Sequence, residues 1–342
     1  MSGGVDSSVA AALLKNAGFD VVGVFMKCWD ENPKNNCKNL SDDEYTARRA
    51  AAKIGIPFYK FDFTREYKKK VIDYFVKEYA QGRTPNPDVM CNKEIKFGLF
   101  FDKAISLGFD FVATGHYAQV NSGKVGTNIF CGKDPQKDQS YFLHSVRPAR
   151  FKKVIFPVGK YHKAQVRKIA KAFGLPNADR KDSQGICFIG KVKLIDFLKN
   201  YIKPKPGKIV ARDGKIVGEH CGVHFYTIGQ RKGIKLAGGP FYVVDKNVKE
   251  NLLIVSRNEK DLYKKELVAD NINWLSSQEP NLSLKTKVQI RYRQEPVQAT
   301  IYKLQDTSYK VQFHQPQRAI APGQSVVFYQ GKKLLGGGII KS

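Results

Sequence analysis

Apolar residues in the first two hundred positions recur with two spacings. Short runs rich in β-branched and aromatic residues, at Asp20 to Met26 (DVVGVFM), Phe58 to Asp62 and Asp110 to Thr114, predict strands. Between them, Tyr67, Val71, Phe75 and Tyr79 fall on one face of a helix that Gly82 stops. Val166, Ile169, Ala170 and Phe173 repeat the pattern ahead of Gly174. Ser41 followed by Glu44 is a capping box opening a further helix that ends near Gly55. Strands alternating with helices predict an α/β fold on a mostly parallel sheet covered on both faces. After Pro204-Lys205-Pro206-Gly207 the period falls to two. Asp213-Gly214, between Ile209-Val210 and Ile216-Val217, is a hairpin signal. The alternations Val288, Ile290, Tyr292, then Val297, Ala299, Ile301, then Tyr309, Val311, Phe313 predict a small antiparallel barrel. The expected organisation is an α/β domain over 1–200, a small β-rich domain over 201–268 and a C-terminal antiparallel β-barrel over 269–342.

Composition narrows the class. The 342 residues carry 58 Lys and Arg against 31 Asp and Glu, a formal net charge of +27, with 42% hydrophobic residues. That apolar content excludes a disordered polybasic tail. No apolar run approaches the roughly 20 residues needed to cross a bilayer, and residues 1–25 lack the pattern of a signal peptide, so the expectation is a cytoplasmic protein with no membrane partner. The excess charge suits nucleic acid, because each neutralised phosphate releases condensed counterions, and suits a solvated lysine-rich surface equally well. The six cysteines, Cys28, Cys37, Cys91, Cys131, Cys187 and Cys221, form no C-x-x-C pair and read as reduced thiols. His220, Cys221 and His224 are spaced closely enough to be weighed as zinc ligands, but no fourth ligand stands near them and no metal site is expected. His116, after a strand and beside Gly115, reads as a structural or nucleotide-side residue rather than a base.

The chain opens Met1-Ser2-Gly3-Gly4-Val5-Asp6-Ser7-Ser8 and continues into an Ala-rich helix. Two glycines permit a tight turn that brings backbone N–H groups against an anion, the serines add hydroxyl donors, and the helix start contributes its positive end. This is a phosphate cradle without the lysine of the G-x-x-x-x-G-K-S/T loop. It resembles the PP-loop of the ATP pyrophosphatases, which grips the pyrophosphate released when ATP adenylates a substrate.

Further segments carry a closer resemblance. Gly82-Arg83-Thr84-Pro85-Asn86-Pro87-Asp88-Val89-Met90-Cys91-Asn92, Ala113-Thr114-Gly115-His116-Tyr117-Ala118, Lys137-Asp138-Gln139-Ser140-Tyr141-Phe142, Asp182-Ser183-Gln184-Gly185-Ile186-Cys187 and Tyr226-Thr227-Ile228-Gly229-Gln230-Arg231 are similar to motifs of the tRNA-specific 2-thiouridylases. So are Arg291-Tyr292-Arg293-Gln294, Pro322-Gly323-Gln324 and Gly336-Gly337-Gly338, in family order to the end of the chain. The resemblance implies ATP-dependent 2-thiolation of the wobble uridine, position 34, of the tRNAs for Lys, Glu and Gln. Magnesium would accompany the ATP, and a cysteine desulfurase or a sulfur-relay protein would donate the sulfur. By resemblance Cys187 carries the persulfide and Cys91 resolves it, since one thiol cannot both carry the outer sulfur and release it. Asp88 resembles the family's acid/base; a nearby carboxylate tends to raise a thiol pKa, so its use lies in moving protons. Met1, Ser2, Gly3, Gly4, Val5, Asp6 and Ser7, with Met26 and Gly115, would bind the nucleotide. Asn86, Pro87 and Asp88, then Lys137, Asp138 and Gln139, then Arg291 and Tyr292, would meet the target base or the tRNA.

Two other functions fit parts of this pattern. An adenylating amidotransferase or ligase acting on a small carboxylate would use the cradle and need neither Cys91 nor Cys187. An RNA-binding module with a decayed ATP site would be indifferent to loss of Asp6. One departure bears on the fold: a PP-loop follows a central strand, whereas this sequence opens inside the loop motif, and the native start is expected about eight residues upstream, the length of one strand with its lead-in.

Overall fold

The computed structural model describes residues 1–29, 42–123, 126–181, 194–276, 279–281, 283–305 and 307–342. Helix α1 (Val5–Asn16) follows the opening loop and leads to strand β1 (Gly23–Lys27). Helix α2 (Asp42–Ile54) and strand β2 (Phe58–Asp62) come next, and β1 pairs with β2 in parallel from Gly23↔Phe58 to Lys27↔Asp62. Ser41, the expected cap of α2, lies outside the described residues.

The helix expected around Tyr67, Val71, Phe75 and Tyr79 runs as α3 (Thr64–Tyr67), a π-helical turn over Lys68–Ile72, and α4 (Asp73–Ala80). All four of these side chains are buried, as their spacing requires. Helix α5 (Pro87–Met90) is capped by Asn86, whose Oδ1 accepts from the N–H groups of Asp88 at 3.1 Å and Val89 at 3.3 Å, with Pro87 at the first helical position. A π-helix over Cys91–Phe100 continues from it into α6 (Phe101–Ser106). Strand β3 (Val112–Ala113) is shorter than the expected Asp110 to Thr114 run, and the hairpin β4 (Ala118–Gly123) and β5 (Gly126–Cys131) follows. Strand β6 (Val154–Ile155) pairs with β3 in parallel, and α7 (Lys163–Ala172) and α8 (Leu194–Lys199) complete this part. Val166 and Ala170 of α7 pack with Val5, Val9 and Ala10 of α1 in one apolar cluster, which fixes the two helices against each other.

The middle sheet has the order β8-β7-β10-β9, from β7 (Gly207–Ala211), β8 (Ile216–His220), β9 (Tyr242–Asn247) and β10 (Leu252–Ser256). Its first hairpin turns at Asp213-Gly214, as expected. Ile209, Val243, Leu253 and Val255 join the core that also holds Tyr67, Val71 and Phe75, so this sheet packs on the helical layer.

The C-terminal barrel comprises β11 (Tyr263–Trp274), β12 (Leu284–Gln289), β13 (Val297–Gln305), β14 (Ser308–Arg318), β15 (Ser325–Gln330) and β16 (Lys333–Ile340). Their order β11-β14-β13-β12-β15-β16 closes through β11–β16 pairing. Val288, Ala299, Ile301, Val311 and Phe313 fill the interior, confirming the period-two pattern. One expected member departs from it. The ladder ends at Gln289, and Tyr292 stands in the following turn, where Arg293 has φ +66. The barrel sheet also extends beyond itself: β16 pairs with β5 at Lys333↔Phe130 and Leu334↔Ile129.

Ile301 is fully buried in the barrel, while its neighbour Tyr302 on the other face is 37% exposed. Ile301→Ala is expected to cost about 2–5 kcal/mol, because the cavity adds to the lost transfer energy. Tyr302→Ala is expected to change stability by roughly 0.5 kcal/mol or less. Denaturant unfolding of both variants checks the contrast.

Candidate functional site

Gly3 has φ +76, a left-handed conformation that glycine adopts without strain, and the turn it makes presents Gly4 as the N-cap of α1. The first N–H groups of a helix have no intrahelical acceptor and are available to an anion. Ser7 Oγ accepts from the Ser2 N–H at 3.1 Å, lies 3.3 Å from Ser2 Oγ and donates to the Gly4 carbonyl at 3.1 Å, tying the loop to itself. Asn177 Nδ2 supports it from behind, donating to Gly3 O at 2.9 Å and to the buried Ser8 Oγ at 3.0 Å. Arg180 donates to the same Gly3 carbonyl at 3.3 Å and pairs with Asp43. Asp6 accepts from the Tyr117 hydroxyl at 2.7 Å and holds the Lys163 ammonium at 2.8 Å from both carboxylate oxygens.

Gly115 seats this loop. A Cβ at that position would stand 2.7 Å from both the Asp6 carbonyl carbon and the Ser7 nitrogen, so only glycine lets the segment after β3 lie on the cradle backbone. Met1 lies alongside β1, its sulfur 2.9 Å from where a Cβ on Gly23 would stand, and Met26 is half-buried on the same strand. Val5 is buried against α7.

The residue after Gly115 links the cradle to the thiol. His116 is buried, its Nδ1 2.7 Å from Thr114 Oγ1 and its ring centroid 5.6 Å from that of Phe97 in the π-helix that begins at Cys91. Burial holds the imidazole well below the usual histidine range, with Lys96 adding to the effect, which favours its neutral form. Cys91 is 7% exposed. Burial pushes its thiol up to about 12; Lys96 opposes that shift, and Cys28 and Asp88 add to it. Asp88 therefore stands close enough for its charge to reach the Cys91 sulfur. So does Cys28, a reduced thiol as expected. Cys187, the expected persulfide carrier, lies outside the described residues, as does Cys37.

A third group gathers around a cluster of tilted aromatic rings. The Tyr292 ring centroid is 4.4 Å from Phe142 and 6.1 Å from Tyr141, and the Arg293 guanidinium lies 5.3 Å from the Tyr292 centroid. The Tyr141 hydroxyl donates to Ser325 O at 3.0 Å and lies within reach of the Asn86 side chain. Lys137 and Asp138 both act on Tyr292 electrostatically. Thus Asn86, Lys137, Asp138 and Tyr292, from three distant stretches of chain, share one locality. Pro87 is buried at the head of α5.

Some of these side chains have structural work. Asp138 accepts from the N–H groups of Gly132 at 2.7 Å and Ser140 at 3.2 Å and from Ser140 Oγ at 2.8 Å. Gln139 Oε1 accepts from the Tyr117 N–H at 3.1 Å, linking this segment to the Asp6 partner. Arg291 donates to Ile228 O at 3.2 Å and Ala319 O at 3.0 Å, and with Thr84, Gln230 and Gln324 lines a cavity of about 370 Å³. His220 has both ring nitrogens engaged, one accepting from the Gly222 N–H at 3.0 Å and the other 3.1 Å from Asn251 O. Sequence reasoning missed Lys163, Asn177 and Arg180. Nothing in a chain this basic marks these positions; Tyr117 alone lay inside a quoted motif.

Comparison with known proteins follows the three parts of the fold. A family model described as the tRNA methyl transferase HUP domain matches residues 1–191, the tRNA methyl transferase PRC-barrel domain matches 195–257, and the aminomethyltransferase beta-barrel domain matches 264–340. Curated relatives include tRNA-specific 2-thiouridylase MnmA 2 of Geobacillus kaustophilus, 47% identical over 99% of this chain and 93% of its own length. The MnmA of Alkaliphilus oremlandii is 47% identical over 99% of this chain and 95% of its own, and that of Listeria monocytogenes 47% over 99% and 93%. With the cradle at Gly3 and Gly4, the seated Gly115 and the Asn86-to-Cys91 segment all present, this chain belongs to the tRNA-specific 2-thiouridylase family.

Proposed function

We propose that this protein replaces the C2 oxygen of the wobble uridine of tRNA, position 34, with sulfur at the expense of ATP. One observation carries the reading: Gly115 on the cradle, His116 against the Cys91 helix, and Asn86 beside Tyr141 and Tyr292 form one continuous assembly. It joins an anion cradle, a thiol and an aromatic platform, the parts that adenylation, sulfur transfer and base capture each need. The family model's description speaks of methyl transfer, but methylation uses neither a pyrophosphate cradle nor a cysteine relay. The expected division at 1–200, 201–268 and 269–342, with the last boundary moved back to Tyr263 where β11 of the barrel begins, assigns the chemistry to the first domain and leaves Tyr292 to the barrel. The reading places the enzyme in the cytoplasm, where its tRNA is.

The uridine O2 attacks the α-phosphorus of ATP. A P–O bond forms, the bond to the bridging oxygen breaks, and its electron pair leaves with pyrophosphate, which the loop from Ser2 to Ser7 stabilises. The N3 proton passes to a base. A persulfide on Cys187, loaded by a cysteine desulfurase or a relay protein, attacks C2 with its outer sulfur and AMP departs. The Cys91 thiolate then attacks the inner sulfur; the S–S bond breaks, its electron pair stays with the outer sulfur on C2, N3 regains a proton, and a Cys91–Cys187 disulfide remains for an external thiol to reduce. Asp88 takes the Cys91 proton. Tyr292 offers a face on which an extruded base or its neighbour stacks. Asp6, a carboxylate at the cradle, is an oxygen donor of the kind magnesium prefers; when bound with ATP, magnesium neutralises phosphate charge there.

Incubation of the protein with ATP, magnesium, unmodified tRNA and a cysteine desulfurase donor should yield 2-thiouridine in digested tRNA, read by nucleoside mass analysis. Cys91→Ser and Cys187→Ser should each reduce it at least about a hundredfold. An undiminished yield from either variant refutes the relay.

The raised thiol also sets a pH dependence. With burial holding the Cys91 thiol up at about 12, the thiolate is a small minority at neutral pH and grows as the pH rises. Alkylation of Cys91 by iodoacetamide in the resting protein should therefore be slow at pH 7 to 8 and rise about tenfold per pH unit, while the exposed Cys221 reacts quickly. Peptide mass mapping over a pH series measures both.

A further inference from the structure

Lys163 occupies the first turn of α7, the end of a helix where a cation is disfavoured by the dipole, so it does not serve that helix. Its side chain is only 12% exposed, and its ammonium is held 2.8 Å from each oxygen of Asp6 and 5.8 Å from the Tyr117 ring centroid. Asp6 does not need so strong a partner. It stands in the first turn of α1, where a carboxylate is favoured, accepts the Tyr117 hydroxyl at 2.7 Å, and is 31% exposed to water. The backbone of Lys163 is anchored separately, its N–H donating to Asp134 Oδ2 at 2.9 Å, so a change of partner at the ammonium need not disturb the start of α7. An ammonium is a compact point charge that exchanges readily between oxyanions.

Resting on the reading of the Ser2-to-Ser7 loop as an ATP cradle, we propose that Lys163 is the group that receives the pyrophosphate leaving group. Its ion pair with Asp6 is its station while the cradle is empty. When a polyphosphate enters, the ammonium moves from the carboxylate to a phosphate oxygen, and Asp6 is freed to face a cation brought in with the nucleotide. As the bond between the α-phosphorus and the bridging oxygen breaks, the charge gathering on that oxygen meets Lys163 directly. No proton changes hands. The pair also keeps an unshielded carboxylate from repelling the incoming anion.

The test is calorimetric binding of inorganic pyrophosphate, with magnesium and in its absence, to wild type, Lys163→Met, Asp6→Asn and the double variant. Lys163→Met keeps the stem and removes the charge, and should bind at least tenfold more weakly under both conditions. Asp6→Asn frees the ammonium and should bind metal-free pyrophosphate more tightly than wild type, an advantage that disappears in the double variant. The affinity of each variant for tRNA should stay within about twofold of wild type, which establishes the fold. Equal pyrophosphate affinity in wild type and Lys163→Met, or weaker metal-free binding by Asp6→Asn, overturns the proposal while leaving the cradle intact. Should Lys163→Met not fold, the direction of the Asp6→Asn change decides alone. Failure of wild type to bind pyrophosphate under either condition overturns the ATP reading as well.

Discussion

The contact of Gly115 with the backbone of Asp6 and Ser7 governs the rest of the site. A methyl group there would stand 2.7 Å from main-chain atoms, a separation that no side-chain adjustment relieves. Because the segment can lie flush on the loop, His116 reaches Phe97 on the Cys91 helix and Tyr117 reaches Asp6. Gln139 then holds the Tyr117 backbone and carries the connection to the segment bearing Tyr141 and Phe142. One missing Cβ thus sets the spacing among cradle, thiol and aromatic cluster.

Charge and burial are divided between the two ends of this assembly. At the cradle, cations are close and partly held: Lys163 on Asp6, Arg180 on Asp43. At Cys91 the surroundings are apolar, and burial outweighs the neighbouring Lys96 in setting the thiol. A thiol kept protonated resists oxidants and stray electrophiles, so the same burial that slows its ionisation protects it between turnovers. Asp88, close to the sulfur yet raising its pKa, fits a proton acceptor for a brief event better than a stabiliser of standing thiolate.

Much of the architecture was legible in the sequence because it follows from repeating apolar positions. Tyr67, Val71, Phe75 and Tyr79 announced a buried helix face, and Ala299, Ile301, Val311 and Phe313 a barrel interior. The cradle was legible from its glycines. Lys163 was not, since its role depends on meeting a carboxylate 157 positions away and its residue type is abundant everywhere in the chain. The nearness of Cys28 to Cys91 was not legible either, since it arises from the packing of the β1 end beside the π-helix, which no local spacing encodes. Tyr292 read as one more inward strand residue, whereas Arg291 anchors to Ile228 and Ala319 and the chain leaves the ladder first.

The pairing of β16 with β5 gives the barrel a second duty. Lys333 and Leu334 continue the sheet onto Phe130 and Ile129, and the Cys131 N–H donates to Lys332 O at 2.8 Å. Removing the C-terminal region would strip β5 of its partner and leave a row of open donors and acceptors beside apolar Ile129, a template for joining other chains. The catalytic portion cut free at the barrel should therefore be prone to self-association, and the barrel is a shield for its neighbour as well as a carrier of Tyr292.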